Sequence, residues 1–143
     1  MMRYLIVILP ILLLISTQVW ADIVVVVHPE SGLKNLTKQQ VIDIYMGRLQ
    51  SAANGGKIVP YDQPQDSETR VVFYQRLTGR PVASVNAYWA RLLFTGRASP
   101  PRQASDNMSV IDIIEKDLYA IGYIDERDLD NRVSVVFKIT NHE

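Results

Sequence analysis

"IVPYDQPQDSETRVVFYQRL", residues 58–77, changes pattern halfway along its length. Ile58 and Val59 belong to an apolar run over Lys57 to Tyr61 that reads as a strand. Asp62 to Asp66, with Pro64 inside it, reads as a turn. Ser67, Glu68, Thr69 and Arg70 then open a helix with Phe73, Tyr74 and Leu77 on one side, and Thr78-Gly79-Arg80-Pro81 stops it. Such a helix start has two readings. Its unpaired N–H groups and partial positive charge can hold an anion, with Ser67 and Thr69 adding hydroxyl donors. Arg70 in the first turn opposes the helix dipole, which makes sense if it reaches an anion or an acidic neighbour. The other reading is a plain cap, with Asp66 or Ser67 at the N-cap and Glu68 suited to the first turn. Asp62, Asp66 and Glu68 also make the turn locally negative, which opposes phosphate. Taken alone, these residues favour the cap and leave the anion site open.

Working outward, Ile23-Val24-Val25-Val26-Val27 is a continuous β-branched run, as expected of a strand buried on both faces. Thr37 and Gln40 have capping-box spacing for a helix that turns Val41, Ile44 and Tyr45 inward and ends at Gly47. Ser84 is the expected cap of a third helix, where Val85, Tyr88, Trp89, Leu92 and Leu93 form a regular apolar stripe. Arg97 to Gln103, with Pro100-Pro101, reads as an irregular connection. A fourth helix begins at Asn107 or Ser109 and carries Val110, Ile111, Ile113, Ile114 and Leu118. Further strands are expected over 120–124 and 132–139. The order β, α, β, α, α, α, β, β predicts an α/β sandwich, mostly one sheet with helices against it.

The 143 residues include 15 basic and 15 acidic side chains and no cysteine. That balance argues against nucleic acid or a polybasic membrane role. Without cysteine there is neither a disulfide scaffold nor a lipid-modified N-terminal cysteine. Arg3, the apolar run Leu5 to Ile15 and the small residue of Val19-Trp20-Ala21 have the layout of a secretory signal peptide over 1–21, cut after Ala21. The apolar run falls short of the roughly 20 residues a spanning helix needs. Residues 22–143 are then one domain, expected in a bacterial periplasm. Enzymatic chemistry has little support. His28 and His142 are the only histidines, and neither is placed by sequence to activate a nucleophile. No metal-ligand spacing and no glycine-rich nucleotide loop occurs. Asp125, Glu126, Asp128 and Asp130 alternate with Arg127 and Arg132, which reads as a solvated turn. The expectation is a non-enzymatic protein without cofactor or metal.

Four segments in order resemble the phosphate-binding periplasmic proteins of ABC transporters: "LTKQQVIDIYMGR" (36–48), "IVPYDQPQDSETRVVFYQRLTGR" (58–80), "YWARLLFTGR" (88–97) and "YAIGYID" (119–125). The compact form resembles short, one-lobe secreted relatives of that family. The resemblance implies a single lobe of a type II periplasmic-binding-protein-like fold, a mixed sheet flanked by helices. It implies a ligand loop, and together with the helix-start geometry it makes Ser67, Thr69, Arg70 and Glu68 the candidate site residues. Ser67 and Thr69 would donate to phosphate or a related oxyanion, and Arg70 would supply charge. The family's Arg-x-Asp-Gly-Ser-Gly-Thr pattern falls on Gln63, Gln65, Asp66, Ser67, Glu68 and Thr69, so only Ser67 and Thr69 keep their types. Family members close two lobes on the ligand, whereas this sequence holds one lobe's worth. Binding by a single lobe is expected to be weak unless a homodimer or a partner supplies the other wall. The implied partners are an ABC-type transporter or a sensor protein. The alternative is a lobe that has lost its ligand and binds a protein partner instead.

Overall fold

Five β-branched residues in a row cannot alternate between core and water, so the strand that carries them must be covered on both faces. The computed structural model describes residues 20–141 and meets that demand. Its elements are β1 (Ile23–Val27), α1 (Lys38–Tyr45), β2 (Val59–Asp62), α2 (Glu68–Thr78), α3 (Val82–Phe94), β3 (Arg102–Gln103), α4 (Asn107–Lys116), β4 (Ala120–Asp125) and β5 (Ser134–Ile139), with a 3-10 turn over Glu126–Asp128. One mixed sheet of order β3-β2-β4-β1-β5 forms the middle layer. β1 runs antiparallel to β4 and β5, and β2 runs parallel to β4 and β3.

All of β1 is buried, and its residues divide between two cores. Ile23, Val25 and Val27 join Val41, Phe73, Leu77 and Trp89 of α1, α2 and α3. Val24 and Val26 join Val110, Ile111 and Ile114 of α4. Each such side chain stabilises by about 1.5–3 kcal/mol when fully buried, so β1 couples the two layers. On the α4 side the approach is close. A Cβ on Gly122 would lie 2.4 Å from Val110 Cγ1, so the glycine of Ala-Ile-Gly-Tyr makes room for the helix.

The local signals hold at the helix ends. Thr37 and Gln40 form the capping box of α1, Ser67 caps α2, and Gly79 closes α2 in the left-handed conformation. Three expectations need correction. α3 starts at Val82 with Pro81, not Ser84, at the N-cap, and no side chain caps it. Pro81 already has the fixed φ that suits a helix entry, and Ser84 lies in the first turn with its N–H on the Pro81 carbonyl. Leu93 belongs to the apolar stripe by spacing but is 54% exposed. Arg102 and Gln103 are not irregular: they pair with Tyr61 and Asp62 as the edge strand. The acidic turn holds the local ion pairs Arg127 with Asp125 and Arg132 with Asp130, and Arg132 also reaches Asp112 and Glu115 of α4. Among the described residues no helix is long and apolar enough to cross a membrane. The expected leader lies outside the described residues except for Trp20 and Ala21, and His142 also lies outside them.

Candidate functional site

β2 ends on Asp62, and the chain reverses through Gln63 to Asp66 into α2. Arg70 and Tyr74 are one helical turn apart, so they share a face of α2. Both reach back to Asp62 Oδ2, Arg70 Nε at 3.1 Å and the Tyr74 hydroxyl at 2.8 Å. Asp62 Oδ1 accepts from the Tyr123 hydroxyl of β4 and from the Gln63 N–H at 2.9 Å. The Arg70 and Asp62 side chains are 7% and 10% exposed. Removing two charges from water is costly, and the additional donors on the carboxylate offset part of that cost. Burial, and then the Asp62 charge, push the Tyr74 and Tyr123 hydroxyls well above the usual tyrosine range. Tyr45, which donates to the Tyr61 carbonyl at 3.0 Å, is raised by the same causes in the same order. These phenols keep their protons and act as donors.

The cluster extends to every helix around the sheet edge except α1. Arg70 Nη2 donates to Asn86 Oδ1 of α3 at 2.8 Å. The Gln63 side-chain amide donates to Asn107 Oδ1 of α4 at 2.8 Å and to the Tyr123 carbonyl at 3.0 Å. Gln63, where the resemblance places a ligand arginine, thus ties β2 to β4 and α4, and it is buried.

The expected site residues separate into two directions. Ser67 is the N-cap. Its Oγ accepts from the Arg70 N–H at 3.4 Å, and its own N–H is on the Pro64 carbonyl at 2.9 Å. Glu68 and Thr69 are the first helical residues, and their N–H groups face out of the helix end. Their side chains border a cavity of about 250 Å³ that also touches Asp125 and Arg127. Arg70 instead borders a cleft of about 300 Å³ against α3 and the β3 connection. Of the two roles open to Arg70, the structure places it on an acidic neighbour. That pairing also removes Asp62 from the negative charge of the turn and leaves Asp66 and Glu68 exposed.

Sequence reasoning passed over Asp62 as the hub, and over Tyr74, Tyr123 and Asn86 as its partners. The usable signal was Arg70 and Tyr74 at helical spacing after a strand that ends in a carboxylate.

Neither a scan of family models nor a search of curated proteins gives a match. Solved structures do match. The chain is 21% identical, with a TM-score of 0.65, to a protein of Clostridium perfringens described as a phosphate ABC transporter substrate-binding protein with bound phosphate, over 81% of this chain and 45% of that one. It is 19% identical, TM-score 0.64, to an ABC-type phosphate transport receptor of Vibrio cholerae, over 81% and 46%. It is 17% identical, TM-score 0.61, to PstS of Borrelia burgdorferi, over 87% and 49%. The chain spans less than half the length of each of these proteins. Its fold, a five-stranded mixed sheet flanked by helices, is that of a single-lobe portion of a phosphate-type substrate-binding protein.

Proposed function

We propose that this protein is an exported solute-binding-like protein for phosphate or a related oxyanion, serving an ABC-type uptake or sensing system from the periplasm. The reading includes removal of the leader after Ala21. The observation that carries it is the β2–α2 junction. There the open N–H groups of Glu68 and Thr69 and the Ser67 cap stand at the start of an 11-residue helix, in a fold shared with a protein crystallised with phosphate. A helix N-terminus favours an anion through its free donors and its dipole. The role is binding rather than catalysis, in keeping with neighbours of this fold that are described as a substrate-binding protein and a transport receptor. Exposed Asp66 and Glu68 weaken the site for a doubly charged ligand.

Isothermal titration with phosphate and sulfate tests the reading. Binding is expected in the millimolar to high-micromolar range, weakened by Ser67→Ala and improved by Glu68→Gly. No heat with anion raised well beyond the millimolar range, with both variants behaving like the parent, would sink it.

A further inference from the structure

The helix-start cavity is walled by more than the ligand loop. Besides Glu68 and Thr69 it is bordered by Asp125 and Arg127, and by residues of the chain entering β1. Its charged side chains are two carboxylates, Glu68 and Asp125, and one guanidinium, Arg127. Arg127 is already paired with Asp125 at 2.6 Å. Arg70, next to Thr69 in the chain, is turned to Asp62, and Gln63 brings no charge. The side chains around the cavity therefore leave a negative excess, which opposes an oxyanion.

A cut after Ala21 changes that balance. Ala21 and Ile23 both border the cavity, and the new chain end, the Asp22 nitrogen, lies between them. Chain ends fray unless they are tied down. Asp22 is tied down at three points. Its carbonyl accepts from the Glu126 N–H at 2.9 Å and its Oδ1 from the Asn141 N–H at 3.1 Å. Its Oδ2 pairs with Lys138 Nζ at 3.4 Å. Neither Asn141 nor Lys138 borders the cavity, so the Asp22 carboxylate is held outside it while the backbone nitrogen stays at its wall. The same cut removes Trp20 and Ala21, which close the cavity on that side.

We propose that the α-ammonium group of Asp22, created by leader removal, is the cation of the oxyanion site. It cancels the excess carboxylate and donates to the anion beside the Glu68 and Thr69 N–H groups. The charged groups facing it are Glu68 of α2, Asp125 at the end of β4 and Arg127 of the 3-10 turn. Beyond Asp22 lie its own carboxylate, Lys138 of β5 and Glu126, joined as one ion-pair group. This rests on the solute-binding reading and on the cut after Ala21, and it adds the charge that the loop itself lacks.

Sulfate is the probe, because it keeps its double charge throughout. An α-amino group loses its proton near about pH 8, whereas carboxylates, lysine and arginine titrate outside the window from about pH 7 to 9. Protein exported and processed by a bacterial host should begin at Asp22 by N-terminal sequencing. At about pH 7 it is expected to bind sulfate about threefold to tenfold more tightly than the same chain acetylated at its α-amine. By about pH 9 the gap should close, as the free chain weakens and the acetylated chain does not. Equal affinities at the lower pH overturn the inference and leave the oxyanion reading standing. A gap that persists at the higher pH reports the bulk of the acetyl group rather than charge, and overturns it too. So does a processed chain that starts at another residue. If neither form binds sulfate, both readings fall.

Discussion

At the scale of residues, the buried charge pair matters more than the cap beside it. Asp62→Asn would leave Arg70 with neutral acceptors and no counter-charge in a site that water barely reaches. The expected loss is about 3–5 kcal/mol, the range for breaking a buried pair from one side. Ser67→Ala removes one cap bond, at 3.4 Å, and should cost only about 1 kcal/mol. Urea unfolding of the two variants under one set of conditions checks the order. Equal losses would mean that Asp62 and Arg70 are not the anchor described here. The sequence exposed half of this arrangement. Arg70 in the first turn of α2 calls for a negative partner, but Asp62, Asp66, Glu68 and a bound anion all qualify by position. Only the packing of α2 against β4, which brings in Tyr123, selects Asp62.

At the scale of elements, α4 and β4 are set by one missing atom. Gly122→Ala forces a methyl to within 2.4 Å of Val110 Cγ1, so α4 must shift or Val110 must leave its rotamer. Overpacking of this kind costs about 1–3 kcal/mol. Val110→Ala in the same chain should restore part of the loss, and thermal unfolding of the single and double variants measures the coupling. The end of α3 gives the opposite case. Phe94 is 94% exposed, so Phe94→Ser should change stability by less than about 0.5 kcal/mol. Helices α1, α2 and α4 could be placed from caps and periodicity because those signals are local. β3 could not, since two residues with no strand propensity become a strand only by pairing with Tyr61 and Asp62.

At the scale of the whole molecule, three buried tyrosines make stability depend on alkaline pH. Tyr45, Tyr74 and Tyr123 all have raised values in the folded state, first because of burial and then because of Asp62. In the unfolded chain they ionise near the ordinary value of 10.0. Their contribution is therefore intact below pH 10 and lost as pH rises toward the folded values. With three groups the slope approaches about 4 kcal/mol per pH unit. Urea midpoints measured at pH 9, 10 and 11 should fall steeply over the last step. Tyrosinate absorbance from these three residues should appear together with unfolding, and its appearance in the folded protein would overturn the assignment. Because β1 feeds both cores, unfolding should also be one transition. Loss of the near-ultraviolet signal from Trp89 and the tyrosines should coincide with loss of protection at the α4 amides.

The amino-acid sequence by itself determined the layered α/β class. An unbroken run at Ile23–Val27, capped helices and turn residues act over a few positions and need no distant partner to be read. It also marked the β2–α2 junction as the place to look. What only the tertiary structure decided is which charges meet there, which way Thr69 and Arg70 face, and that Gln63 serves the scaffold. Those outcomes depend on Tyr123, Asn86 and Asn107, which lie between 16 and 61 positions from their partners in the chain. Contacts at that separation are fixed by how the layers close over β1, and no local pattern encodes them.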